Sequence, residues 1–105
     1  MSITIHIDAE MLEQIEQMSA CAYTYEEMSI YLQLPKKLFI EEAKLKDSDI
    51  WTAIQRGRLA SEFNIFSKLQ GNAASGNITA AQQFIKMRDD KESENIKARI
   101  FYGEN

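Results

Sequence analysis

The sequence predicts a mainly α protein, with an N-terminal three-helix helix-turn-helix unit followed by a long helical hairpin. Three observations carry that reading. Apolar residues recur at three- and four-residue intervals through most of the chain. Residues that favour helix N-caps stand ahead of four of these runs. A proline opens the third run, which a turn of only three or four residues joins to the second.

The elements follow in order. Ile3, Ile5 and Ile7 alternate with polar residues, the period of a short strand or extended arm. Asp8 is placed to cap a first helix over about residues 9–20, with Met11, Leu12, Ile15 and Met18 on one face. Thr24-Tyr25-Glu26-Glu27 spells a capping box, in which Thr24 and the Glu three residues later satisfy each other's backbone amides. The helix it opens turns Met28, Tyr31 and Leu32 inward and stops near Gln33. Pro35 has no N–H to lose at a first helical position, so a third helix starts there with Leu38, Phe39 and Ala43 for packing. Gln33 stands where such a unit commonly has glycine.

Asp47 or Ser48 caps a fourth, long helix over about residues 49–75, with Gly57 and Gly71 as places for a bend or break. Gly76 and Asn77 end it and cap the next helix, about residues 78–88, which buries Ala81, Phe84 and Ile85. Residues 89–94 read as a charged linker or frayed turn. Ile96, Ala98, Ile100 and Tyr102 alternate again, which allows a short β-ribbon between the two ends of the chain. The expected organisation is therefore an arm (1–8), a helix-turn-helix unit (9–46), a helical hairpin for oligomerisation (47–88) and a C-terminal tail (89–105).

Composition narrows the function classes. Apolar residues make up 45% of the 105, enough for one globular core, and no apolar run approaches membrane-spanning length. The N-terminal residues lack the basic flank and long apolar stretch of a secretion signal. A single cysteine, Cys21, excludes an internal disulfide and suits a reducing cytoplasm; it is expected to pack as a small apolar residue. One Cys and one His (His6) make no conventional zinc site within one chain, and no catalytic motif is present, so no enzyme activity and no cofactor are expected. Residues 71–77 lack the Lys-Ser/Thr of a phosphate loop and read as a helix end.

The net charge of −4 is unevenly spread. Residues 1–35 carry six acids and no base, residues 36–88 carry nine bases and five acids, and residues 89–105 carry five acids and three bases. The middle is thus a basic segment within an acidic chain. The third helix opens with Lys36 and Lys37 and carries Ile40, Glu41 and Lys44 around its outer side. In a helix-turn-helix this is the element that enters the major groove, so these five residues form the candidate DNA-binding site. Lysines beside a helix N-terminus suit phosphates, because ammonium charge and free amides act together. Glu41 and Glu42 oppose that, although a Glu can accept from cytosine. The helix has no Arg, Asn or Gln to read guanine or adenine, so weak sequence specificity is expected. Arg56, Arg58 and Lys68 on the long helix are further candidates for backbone contact.

The order of elements, with Tyr25-Glu26-Glu27-Met28-Ser29-Ile30-Tyr31-Leu32-Gln33-Leu34, Arg56-Gly57-Arg58-Leu59-Ala60-Ser61-Glu62 and the step from Gly76-Asn77 into an Ala-rich helix, resembles small terminase subunits of tailed bacteriophages. The resemblance spans roughly residues 9–87. It implies a DNA-binding helix-turn-helix using Lys36, Lys37 and Lys44, and a central hairpin that builds a homo-oligomeric ring. It also implies packing surfaces at Leu59, Phe63, Phe66 and Phe84, and a C-terminal segment that meets the large, ATP-hydrolysing subunit in a bacterial host cell. Two other readings compete: a helical protein-interaction or structural module without nucleic acid, and a small transcription regulator.

Overall fold

The computed structural model describes residues 5–102, which form five helices and no strand. They are α1 (Ala9–Ala20), α2 (Tyr25–Leu32), α3 (Lys36–Lys44), α4 (Asp49–Ala74) and α5 (Ile78–Tyr102).

The expected caps form. The Asp8 carboxylate accepts from the Met11 amide at 2.8 Å. Thr24 Oγ1 accepts from the Glu27 amide at 3.1 Å, and Glu27 Oε1 accepts from the Thr24 amide at 2.8 Å, closing the capping box. Ser48, rather than Asp47, caps α4. Its hydroxyl accepts from the Trp51 amide at 3.0 Å and donates to the Glu42 carbonyl at 2.7 Å, linking the end of α3 to the start of α4. Asn77 Oδ1 accepts from the Ala80 amide at 3.0 Å. Because the capping box satisfies two otherwise orphaned amides, Thr24→Ala should cost about 1 kcal/mol. Urea unfolding followed by the single Trp51 measures it, and an unchanged midpoint would mean that the cap is dispensable.

Three helices end by the same device, a left-handed residue that lets the chain fold back on the last open carbonyls. After α1 that residue is Ala22 (φ 64°), with the Tyr23 amide donating to the Met18 carbonyl. After α4 it is Gly76 (φ 98°), with the Asn77 amide donating to the Asn72 carbonyl. After α2 it is Gln33 (φ 57°), with the Leu34 amide donating to the Ser29 carbonyl at 3.0 Å. The turn between α2 and α3 is thus made without glycine. Pro35 supplies the N-cap carbonyl of α3, which begins one residue later than expected, at Lys36.

The chain divides into two compact units, one extending through Glu62 and the other beginning at Phe63. In the first, Ile15, Met28, Phe39, Ala43, Ile50, Ala53 and Ile54 form the buried core, with Ile5, Ile7, Leu12 and Leu34 packed around it. The opening turns of α4 therefore complete the core of the first unit. Where α1 crosses α4, Ser19 Oγ donates to the Ile54 carbonyl at 2.6 Å. Gly57 is buried at the same crossing: a Cβ there would overlap the Glu16 carbonyl oxygen and lie 2.9 Å from the Ser19 Cβ. No break occurs at Gly57 or Gly71, since α4 runs as helix through both from Asp49 to Ala74. Gly57 serves interhelix packing instead.

In the second unit, Phe66 and Phe84 meet edge to face, with ring centroids 4.8 Å apart, and Ala80 is buried. The second half of α4 and α5 supply these residues. Two expectations about the C-terminal region are corrected. The helix expected to end near residue 88 runs to Tyr102. Residues 96–102 are therefore helical and do not supply a strand for the terminal ribbon; Ile3, from its other arm, lies outside the described residues. Composition contributes: Lys91, Glu92, Glu94, Lys97 and Ala98 lose little side-chain freedom in a helix, so the helix continues through residues 89–95 without an apolar stripe.

Candidate nucleic-acid interface

The sequence brings five residues to α3, and the structure divides them. Phe39 and Ala43 face the core, which fixes the rotation of the helix. Lys37, Glu41 and Lys44 consequently stand exposed on the opposite side, with the half-buried Ile40 beside them. Lys36 is also exposed but leans across the turn. Its Nζ lies 3.2 Å from Glu26 Oε1 on α2. A pair this open to water is weak and salt-screened, yet it offsets part of the Lys36 charge in the resting molecule. Among the described residues, Lys37, Glu41 and Lys44 form no ion pair.

The other basic candidates are less free. Arg56 Nε approaches Glu16 Oε2 at 3.9 Å, and Arg58 pairs with Glu62 at 3.5 Å while donating to Gln55 Oε1 at 3.0 Å. Lys68 is exposed, in the second unit. Lys46, absent from the sequence-derived set, is an exposed cation two residues beyond the end of α3. Its position in the basic segment was the available signal, but it lies past the helical spacing used to choose the others.

No side-chain cap competes for the amides at the start of α3, because Pro35 offers none. Those amides and Lys37 together suit an anionic oxygen. Glu41 also borders an open hollow of about 340 Å³ beside the arm, lined by Ile5, Ile7, Leu38 and Glu42 among others. Although that hollow is rich in carboxylates, no group of three or more His, Cys, Asp or Glu among the described residues could hold a metal ion. Cys21 departs from expectation: the fold-back at Ala22 leaves it exposed at the end of α1 instead of packed. On α2, Ile30 and Tyr31 point away from the core and are 69% and 64% exposed.

No family model, curated protein or solved structure matches this chain. No helix among the described residues is long and apolar enough to cross a membrane.

Proposed function

We propose that the protein is a DNA-contacting adaptor, similar to a phage small terminase subunit, that docks α3 against duplex DNA and assembles through its second unit. One observation carries this reading: a nine-residue helix follows a tight three-residue turn and holds Lys37 and Lys44 outward, unpaired, on the side opposite Phe39. Two lysines at that spacing suit phosphates, and the lack of Arg, Asn or Gln on α3 suits binding with weak sequence preference. The net charge of −4 limits affinity and makes a shared, multivalent grip more effective than a single one.

Exposed apolar side chains support assembly. Leu59 and Phe63 on α4, with Ile78, Ile85 and Ile96 on α5, lie open to solvent in a single chain. The second unit has one buried apolar residue, Ala80, among the described residues, a small core for two long helices. An oligomer would enlarge it. The ring, the packaging ATPase as partner of the C-terminal region, and a bacterial cytoplasm follow from the resemblance and belong to the same proposal.

The test is a salt series. Wild-type protein should bind generic duplex DNA with an affinity that falls steeply as salt rises, and Lys37→Glu with Lys44→Glu should flatten the log–log slope by about 2. Unchanged binding by the double variant would exclude α3 as the contact. A second reading, a protein-interaction module, is favoured by Ile30 and Tyr31 on α2 and would be indicated by no DNA binding even at low salt. Sizing by light scattering separates a regulator-like dimer from a larger assembly.

A further inference from the structure

Four side chains occupy the outer arc of α3: Lys37, Ile40, Glu41 and Lys44. At about 100° and 1.5 Å per residue, Lys37 and Lys44 share nearly one line and stand about 10 Å apart, with Ile40 and Glu41 side by side between them. The lysines thus mark the two ends of the face, and an apolar group and a carboxylate occupy its middle. Lys36 lies off this arc, turned towards Glu26.

We propose that this face reads a pyrimidine step in the major groove of duplex DNA, with Glu41 selecting cytosine and Ile40 the neighbouring thymine. The inference rests on α3 being the DNA contact. Against phosphate, Glu41 would only repel; against base edges, its prospects depend on the base. Guanine presents two acceptors in the major groove and thymine an acceptor, so both oppose a carboxylate. Adenine offers its amino group beside an acceptor. Cytosine presents the amino donor alone, and is the base that a carboxylate suits best. Ile40 has no hydrogen bond to make and matches the thymine methyl group. Lys37 and Lys44 then hold phosphates on either side and offset the cost of bringing Glu41 into the groove.

The experiment is selection from a pool of random duplexes at low salt, using the full chain. Wild type should enrich adjacent thymine and cytosine, with cytosine favoured about fivefold at its position. Glu41→Gln, an exposed change that leaves the core untouched, should move that preference from cytosine to adenine, for which Gln is a bidentate partner. Ile40→Ala should flatten the thymine preference and leave the cytosine one. If Glu41→Gln raises retention of all duplexes alike with base preference unaltered, Glu41 acts only as a repulsive charge and the proposal is overturned. Retention by wild type without any base preference overturns it too, while leaving the DNA reading standing. Retention of no duplex at all removes the DNA reading itself, and this inference with it.

Discussion

Gly57→Ala should destabilise the first unit by about 2 kcal/mol, although alanine is the better helix former by about 1 kcal/mol. The new methyl group has nowhere to go. It would overlap the Glu16 carbonyl oxygen, a backbone atom that cannot swing aside, and crowd Ser19 Cβ at 2.9 Å. Relief requires α1 and α4 to separate, which also loosens the 2.6 Å hydrogen bond from Ser19 to the Ile54 carbonyl. Overpacking of this kind costs about 1–3 kcal/mol, and a clash with backbone belongs at the upper end of that range. Gly71→Ala is the matched control. It lies in the same helix with nothing within 4 Å of the new methyl, so it should stabilise by up to about 1 kcal/mol. Urea unfolding, read by Trp51 fluorescence for Gly57 and by far-UV circular dichroism for Gly71, gives both signs. Equal gains at the two positions would mean that the α1–α4 crossing is not close.

The contrast between those glycines shows where sequence reasoning stops. Helix starts were legible because caps are local: Asp8, Thr24, Ser48 and Asn77 each bond an amide three residues on. The role of Gly57 was not, because its partner Glu16 is remote in sequence and only the tertiary fold brings them together. Within one helix the two glycines look alike. The length of α5 was hidden for a different reason. Residues 89–95 carry no apolar period, yet charged helix formers extend the helix without one. For the candidate site, the rotation of α3 was readable from Phe39 and Ala43, which places Lys37, Glu41 and Lys44 outward. The tie between Lys36 and Glu26 crosses a turn whose geometry depends on Gln33 adopting a left-handed conformation, and spacing alone does not specify that.

Phe39→Ala should be the most damaging single change in α3, costing about 3–5 kcal/mol. Phe39 is fully buried, in a core with Ile15, Met28, Ala43 and Ile50 supplied by four different helices. Removing the ring leaves a cavity that those neighbours fill only in part. A unit of about 60 residues has a stability of about 3–9 kcal/mol in total, so the loss leaves it near or past its midpoint at room temperature. The same helix carries Lys37 and Lys44 on its far side, and this makes the comparison informative. On the proposed reading, Phe39→Ala should abolish DNA retention together with the cooperative Trp51 transition. Lys37→Glu with Lys44→Glu should weaken retention, with the flattened salt slope, and leave that transition in place, because both side chains are exposed. If the double-lysine variant also loses its cooperative transition, the lysines matter to the fold and the outward face of α3 is not a dedicated binding surface. If Phe39→Ala keeps the wild-type urea midpoint, α3 is not seated on the core by its aromatic ring. The orientation from which the proposed DNA contact is deduced would then fail with it.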